Sequence, residues 1–380
     1  ALALAQLAQQ KKIELFVDVD ERSAAFFALG IAKKTHKPVL LICTSGTAAA
    51  NFYPAVCEAA ISQIPLLILT TDRPPELTKV AAPQALDQDH FFGNQVKAFF
   101  ELPLPETNQD SQTYTNYVVQ KSFQIAQSKP AGPVHLNQPL RKPLMPDLPI
   151  KFEQDQQKYV TLSSTSTLSS NLITELHTIL LNKRGIILAG PQQSTTSNIA
   201  LLKWAEKSGW PILADPLSQL RGIPSSNIIT CYDSLLKTKS DKLAALSPEV
   251  IIRTGQTFVA ASLASFLKKS QATIYSLDEE NKLNDYTKTS TFSLEISAED
   301  FFEQFPPVSI PSNWLHTWST LEKIYTSVNQ INSLNMLNDL DVIRVISATG
   351  SNERNLFVSN SMPIRDVDSV LQPLKSFRIF

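Results

Sequence analysis

Seven residues of this 380-residue chain have the types and the placement to act on an acidic small molecule. They comprise one carboxylate, two arginines, three hydroxyls and one amide: Glu21, Arg73, Arg365, Ser45, Thr47, Ser361 and Gln84. Arginine presents a planar fork of donors that matches the oxygens of a carboxylate. One carboxylate together with two arginines therefore indicates a substrate that carries carboxylate groups. These residue types fit an α/β enzyme and a binding protein equally well.

Two of these positions also have a purely structural interpretation. Asp20 and Glu21 precede a stretch with helical spacing, and acids at a helix N-terminus can simply cap its free N–H groups. Arg73 stands before Pro74 and Pro75, which restricts its backbone to extended conformations. It could present its guanidinium to a ligand or bind nearby carbonyls. The residue types leave both interpretations open.

Residues 38–77 must position most of this chemistry. They predict a βαβ unit, in which an apolar strand, the small polar turn 44–47 and an apolar helix lead to a second apolar strand at 66–70. Two strands joined in this way belong to a parallel sheet. Active sites of open parallel sheets lie beyond the carboxyl ends of the strands. We therefore expect the site at residues 44–47 and 71–76.

Strand and helix patterns extend on both sides of this unit. Before it, residues 13–19 predict a strand; after it come a strand at 96–102, a helix at 111–128 and a strand at 133–139. His135 lies inside the last of these apolar strands, which indicates a core residue rather than a ligand.

The order of elements predicts two α/β domains and a third segment. The first domain covers residues 1–145, and residues 146–170, rich in Pro, Ser and Thr, read as a linker. Over 171–305, strands predicted at 185–189, 212–214, 250–253 and 273–277 again alternate with helices. Residues 306–380 read as a Pro-containing linker followed by helices and a strand, too little chain to bury a core by itself.

Composition excludes several classes of function. A net charge of -1 and a pI near 6.6 give no electrostatic footprint for nucleic acid or an anionic membrane. No apolar run approaches the roughly 18 residues of a membrane span. The sequence contains no metal-ligand spacing, nucleophile elbow, P-loop or GxGxxG fingerprint, and its ten glycines are few. Three scattered cysteines indicate reduced thiols.

Several motifs go further than composition. DERSAAFFALGIAK, CTSGTAAANFYPAVCEA, LLILTTDRPPEL, APQALDQ, AGPVHLNQPLRKPL, LADPLSQLRG and LFVSNSMPIRD are spread over nearly the whole chain. Together they resemble the 2-succinyl-5-enolpyruvyl-6-hydroxy-3-cyclohexene-1-carboxylate synthases, thiamine-diphosphate enzymes of menaquinone and phylloquinone biosynthesis. The resemblance implies the α/β architecture of those enzymes. The first domain would bind the pyrimidine ring, 171–305 would be the central domain, and 306–380 would include only the start of a diphosphate-binding domain.

The resemblance implies a transferase that performs a decarboxylating carboligation. 2-Oxoglutarate would lose carbon dioxide, and the succinyl unit would add to isochorismate, with thiamine diphosphate and Mg²⁺ as cofactors. By their positions in the motifs, Glu21 would bind the pyrimidine N1′, and Ser45 and Thr47 would lie beside the cofactor. Four residues would contact substrate: Arg73, Gln84, Ser361 and Arg365. None of the residues present is implied as a metal ligand.

The departures from the family pattern define the alternatives. A strand ahead of residue 1 and a diphosphate- and Mg²⁺-binding domain after Phe380 would be missing, so we expect residues 1–380 to be truncated at both ends and inactive alone. Ala261 stands where the family carries a lysine. A non-catalytic binding or regulatory protein and an acetolactate-synthase-like carboligase stay open as alternatives. The resemblance further implies a homo-oligomer (dimer or tetramer) or a complementing fragment, in the cytoplasm or the plastid stroma.

Overall fold

A computed structural model of the chain describes residues 2–145, 149–150, 166–192, 195–238, 246–280, 285–328, 338–349, 354–370 and 377–380. The chain divides into two compact units. Unit 1 comprises residues 1–163 and unit 2 comprises residues 164–380.

Unit 1 is a four-stranded parallel sheet covered by helices. Its strands are β1 (Val39–Cys43), β2 (Leu66–Asp72), β3 (Ala98–Glu101) and β4 (Val134–Pro139), in the order β1-β2-β4-β3. Its helices are α1 (Leu2–Gln9), α2 (Glu21–Thr35), α3 (Thr47–Asn51), α4 (Tyr53–Ile61) and α5 (Gln109–Gln127), with short 3₁₀ turns at Pro75–Leu77 and Gly93–Gln95. Val39 pairs with Leu66, and Leu67 pairs with Val134.

Small residues let the helices of unit 1 approach the sheet closely. Ala25 and Ala32 of α2 and Ala55 and Ala59 of α4 are fully buried. The predicted single helix after β1 is divided into α3 and α4 because Pro54, in the first turn of α4, has no N–H to continue the hydrogen bonding.

The strand predicted at residues 13–19 is wrong. These residues form no strand, and Val17 and Val19 are 86% and 100% exposed. A β-strand needs a hydrogen-bonded neighbour, and among the described residues β1 is paired on one side only, with β2. An apolar alternating sequence is therefore not sufficient for a strand here.

Unit 2 contains a six-stranded parallel sheet with its first strand near the centre. The order is β10-β9-β8-β5-β6-β7. The strands are β5 (Gly185–Ala189), β6 (Ile212–Ala214), β7 (Ile228–Ile229), β8 (Val250–Thr254), β9 (Thr273–Leu277) and β10 (Phe292–Leu294). A separate parallel pair is formed by β11 (Arg354–Leu356) and β12 (Phe377–Ile379).

Helices connect and cover these strands. They are α6 (Ser170–Leu180), α7 (Thr195–Ser208), α8 (Tyr232–Lys237), α9 (Ala261–Lys269), α10 (Ala298–Gln304), α11 (Trp314–Val328), α12 (Asp339–Ala348) and α13 (Met362–Val370), with a 3₁₀ turn at Pro216–Ser218. Trp204 and Trp210 lie in the largest core cluster together with Phe301 and Phe305.

The Pro-containing segment 305–313, which composition marks as a linker, is packed against the core of unit 2. Phe305 and Val308 are buried, and their carbonyls accept hydrogen bonds from Trp204 Nε1 (2.9 Å) and Trp210 Nε1 (3.2 Å). Prolines suit an ordered connection as well as a flexible one, because both lack regular hydrogen bonding.

The predicted α/β class with parallel sheets is confirmed in both units. Within the described residues, no helix combines the length and the hydropathy required to cross a bilayer.

Candidate active site

Glu21 is the first residue of α2 and lies at the carboxyl edge of the unit 1 sheet. Asp20, not Glu21, caps the helix: its carboxylate accepts a hydrogen bond from Ser23 N at 2.8 Å. The half-buried Glu21 is near the end of β1, because burial and then the charge of Glu21 raise the pKa of Cys43 to about 12. Capping is thus performed by its neighbour, which leaves the Glu21 carboxylate available for a ligand.

The 44–47 turn follows β1 and is held by Gln84. Gly46 has φ 87°, a value that favours glycine, and a Cβ there would lie 3.2 Å from Gln84 Cγ. Ser45 Oγ donates to Gln84 O at 3.1 Å, while Gln84 Nε2 donates to Thr44 Oγ1 and Ser45 O, both at 3.1 Å. The structure therefore brings the predicted residues Ser45 and Gln84 together. Thr47 begins α3 and is exposed.

Arg73 follows β2 and binds the loop that carries Gln84. Its Nε and Nη2 donate to Pro83 O at 3.2 and 2.9 Å, and its backbone N–H donates to Asp72 Oδ1 at 2.7 Å. In this structure the guanidinium of Arg73 therefore binds a carbonyl, and its binding of a ligand stays a prediction.

The next turn of the same loop is held by a bidentate ion pair. Arg141 Nε and Nη2 donate to the two carboxylate oxygens of Glu76 at 2.6 and 2.9 Å. Hydrogen bonding from Arg141 lowers the pKa of Glu76 to about 2. This exposed ion pair links the 3₁₀ turn after β2 to the residues that follow β4.

Two buried residues that the sequence did not single out, Gln88 and Asn137, connect the strand ends. Gln88 Oε1 accepts from Gly46 N at 2.8 Å, and its Nε2 donates to Thr71 O (3.2 Å) and to Asn137 Oδ1 (2.8 Å). Gln88 and Asn137 are 1% and 2% exposed. Only Asn137 has a sequence signal, because an amide inside a buried strand requires hydrogen-bond partners.

Both the oxygen and the nitrogen of the Asn137 side-chain amide are hydrogen-bonded. Its Oδ1 also accepts from Thr70 Oγ1 at 2.7 Å, and its Nδ2 donates to Asp72 Oδ2 and Glu101 Oε2, both at 2.9 Å. Burial raises the pKa of Glu101, and the bond from Asn137 opposes that rise. This amide therefore separates two carboxylates at the ends of β2 and β3.

His135 is a core residue, as its place in an apolar strand predicts. It is fully buried, and its ring contacts those of Phe92 and Phe99 at centroid distances of 4.8 and 5.0 Å. Because Thr70 Oγ1 donates to Asn137, it must accept from His135 Nε2, 2.8 Å away. The ring thus carries its proton on Nε2, and burial lowers its pKa to about 4.

Ser361 and Arg365 lie in unit 2, at the beginning of α13. Both are exposed; Ser361, with φ 75°, immediately precedes α13, and Arg365 lies four positions further along the chain, within the helix. The other end of α13 is anchored by Arg221, which donates to Asp368 O at 2.8 Å and Val367 O at 3.3 Å and forms a buried ion pair with the Asp368 carboxylate. This anchoring fixes the helix that presents Ser361 and Arg365.

The donor set of unit 1 fits the aminopyrimidine of thiamine diphosphate. That ring needs a carboxylate for its ring nitrogen and neutral acceptors for its amino group. Glu21 would supply the first, and the carbonyls and hydroxyls of the 44–47 turn are at the same sheet edge. In the described part of the chain, no three His, Cys, Asp or Glu side chains group so as to hold a metal ion.

Comparison with known proteins gives matches over both units. A family model described as the N-terminal TPP-binding domain of thiamine pyrophosphate enzymes matches residues 2–91, and one described as the middle domain of thiamine pyrophosphate matches residues 150–358, more than half of the chain.

Several curated relatives carry the name 2-succinyl-5-enolpyruvyl-6-hydroxy-3-cyclohexene-1-carboxylate synthase. The protein from Enterococcus faecalis is 39% identical over 98% of this chain and 65% of its own length. Those from Listeria monocytogenes and Bacillus velezensis are each 38% identical, over 96% and 97% of this chain and 65% and 66% of their own lengths. The chain thus spans about two thirds of the length of these relatives.

The resemblance derived from the motifs is confirmed by these relatives. The matches to an N-terminal and a middle domain are consistent with the parallel sheets of units 1 and 2. They are also consistent with the carboxylate of Glu21 at the edge of the first sheet. The chain belongs to the thiamine pyrophosphate enzymes.

Proposed function

We propose that the protein containing this chain is a transferase that joins 2-oxoglutarate to isochorismate with loss of carbon dioxide, in menaquinone or phylloquinone biosynthesis. Thiamine diphosphate, when bound, supplies the electron sink for decarboxylation. The main support for the proposal is the position of Glu21. This residue stands in the family motif, and Asp20, rather than Glu21, caps α2.

Glu21 would hold thiamine diphosphate through a hydrogen bond between its carboxyl group and the pyrimidine N1′, donating its proton to that nitrogen. The role requires a carboxylate at a fixed point in a site from which water is partly excluded. The first residue of a capped helix provides such a point. Ser45 and Thr47 form the wall beside the ring, and the hydrogen bonds of Ser45 with Gln84 keep that wall in place.

Arg73, Gln84, Ser361 and Arg365 bind the substrates. Both substrates carry carboxylates, and guanidinium groups bind carboxylates in a planar, paired geometry. Arg73 and Gln84 act together because Arg73 holds Pro83, the residue before Gln84. Ser361 and Arg365 act from the anchored helix α13.

The remaining parts of the proposal concern assembly. We assign pyrimidine binding to residues 1–145, a linker to 146–170, the central domain to 171–305 and the start of a diphosphate-binding domain to 306–380. Mg²⁺ accompanies the cofactor. The protein acts in the cytoplasm or plastid stroma as a homo-oligomer, or with a complementing fragment.

The test uses the natural protein that contains this chain, supplied with thiamine diphosphate and Mg²⁺. We expect carbon dioxide release from 2-oxoglutarate to require isochorismate. Glu21→Gln should lower kcat by about 10²- to 10⁴-fold, the usual contribution of a positioned acid or base. Glu14→Gln, an exposed acid before α2, is the matched control and should leave kcat unchanged.

Three outcomes would contradict the proposal. Pyruvate used in preference to 2-oxoglutarate would indicate an acetolactate-synthase-like enzyme. Thiamine diphosphate binding without turnover would indicate a binding or regulatory protein, which Ala261, at the start of α9 where the family carries lysine, would favour. Full activity of Glu21→Gln would remove Glu21 from the mechanism. Assay of residues 1–380 by themselves tests the expectation that this span is inactive alone.

A further inference from the structure

A continuous chain of hydrogen bonds runs through unit 1 from the 44–47 turn to Arg73. Gly46 N–H donates to Gln88 Oε1, and Gln88 Nε2 donates to Asn137 Oδ1, both at 2.8 Å. Asn137 Nδ2 donates to Asp72 Oδ2 at 2.9 Å, and Arg73 N–H donates to Asp72 Oδ1 at 2.7 Å. The four links join the ends of β1, β2 and β4.

The direction of each hydrogen bond in this chain is fixed. Gly46 and Arg73 contribute backbone N–H groups, which can only donate, so Gln88 must present its oxygen to Gly46. Its amide nitrogen then faces two oxygens, Thr71 O and Asn137 Oδ1. Asn137 is fixed in the same way, since its nitrogen faces the carboxylates of Asp72 and Glu101. No other amide orientation satisfies these partners.

We propose that Gln88 is a positioning residue which, through Asn137, sets the 44–47 turn in register with Arg73. The description of the 44–47 turn as a cofactor wall and of Arg73 as a substrate-binding arginine rests on the proposed function. Gln88 itself is 1% exposed and acts through other groups, without contact to a ligand. A disturbance of this one amide should therefore loosen the turn and weaken cofactor binding.

The first test measures amide hydrogen exchange of Gly46 in residues 1–380. Gln88→Met keeps the length of the side chain and removes the acceptor, so exchange of the Gly46 amide should accelerate about 5- to 10-fold, as expected for one lost hydrogen bond. Gln112→Met, at an exposed position of α5, is the matched control and should leave that rate unchanged. An unchanged Gly46 rate in Gln88→Met would overturn the proposal.

A second variant separates positioning from general destabilisation. Gln88→Glu keeps an oxygen for Gly46, but its second oxygen faces Thr71 O and Asn137 Oδ1. A protonated carboxyl can donate to one of them, whereas an ionised one meets only acceptors. Burial raises the pKa of such a carboxyl in the folded state, so Gly46 protection should be near the wild-type value at low pH and should fall as pH rises. Protection that does not vary with pH would contradict the assigned amide orientation.

The third measurement concerns the proposed function. In the natural protein that contains this chain, Gln88→Met should raise the thiamine diphosphate concentration for half-maximal activity about tenfold relative to Gln112→Met. If Gly46 exchange accelerates and this concentration does not change, the hydrogen-bond network is established and the 44–47 turn is not the cofactor wall. If neither changes, Gln88 does not position the turn.

Discussion

Burial determines the charge of His135, a residue in the core of unit 1. His135 is enclosed by Phe92, Phe99 and Thr70, and burial lowers the pKa of its ring to about 4. Thr70 Oγ1 accepts a hydrogen bond from the ring and donates one to Asn137 Oδ1. A neutral His135 with its proton on Nε2 therefore leaves the hydroxyl of Thr70 free to donate to Asn137. A protonated ring would place a charge in the core without a counterion.

This environment predicts how stability depends on pH. The unfolded histidine binds a proton near pH 6.5 and the folded one near pH 4, so the unfolded state binds more protons between these values. Stability should therefore fall as pH falls from 6.5 to 4, by about 3 kcal/mol for this group. The unfolding free energy of His135→Gln should lack this component of the pH dependence. A midpoint near 6.5 for the His135 ring, in a titration followed by NMR, would contradict the prediction.

Individual residues also show where sequence reasoning ends. Glu21, Ser45 and Arg73 could be found because they stand in motifs or beside turns and prolines. Gln88 could not, because its function depends on partners 42 and 49 positions away in sequence, Gly46 and Asn137. Such hydrogen bonds arise from the packing of strand ends, which a single sequence does not specify.

Among the elements, buried strands were the most predictable. The predicted strands at 185–189, 212–214 and 273–277 agree with β5, β6 and β9. β5 and β6 are buried along their whole length, as their continuous apolar sequences indicate. β7 has only two residues, and β10 is partly exposed at the edge, so neither produces a clear pattern. The segment 13–19 shows the opposite case, a strand pattern without a neighbouring strand.

The helix α13 depends on an element far from it in sequence. Arg221, fully buried, donates to the last carbonyls of α13 and pairs with Asp368, whose carboxylate also accepts from Tyr232 OH at 3.0 Å. A cation at a helix C-terminus stabilises the helix dipole. Burial raises the pKa of Asp368, and the guanidinium of Arg221 opposes that rise. Removal of the arginine would leave a buried carboxylate without its cation.

Arg221→Met should therefore lower the unfolding free energy of unit 2 by about 3–5 kcal/mol. The double variant Arg221→Met/Asp368→Asn should be less destabilised, because the neutral amide keeps an acceptor for Tyr232. Urea unfolding followed by tryptophan fluorescence measures this, since all four tryptophans lie in unit 2. Arg365→Met, exposed on the same helix, is the control for stability. A double variant no more stable than Arg221→Met would disprove the role of the ion pair.

At the scale of the whole molecule, composition does not distinguish two Pro-containing connections. Residues 146–170 join unit 1 to unit 2, and the division between the compact units falls within them, at 163/164. Residues 305–313 have a similar composition but contribute Phe305 and Val308 to a core. The difference depends on which apolar side chains find tryptophan neighbours in the folded chain, and those neighbours lie about 100 positions away.

Limited proteolysis should separate these two cases. Trypsin should cut first after Lys151 or Lys158, within the predicted linker; Lys142 precedes proline and should not be cut. Chymotrypsin should spare Phe305, because that residue is 1% exposed and its carbonyl binds Trp204. Mass spectrometry of the first fragments measures both expectations. The variant Lys151→Gln/Lys158→Gln should delay the tryptic cut, which assigns it to this segment. An early cut at Phe305 would contradict the packing of residues 305–313, and a first tryptic cut inside either sheet would contradict the division of the chain into units 1 and 2.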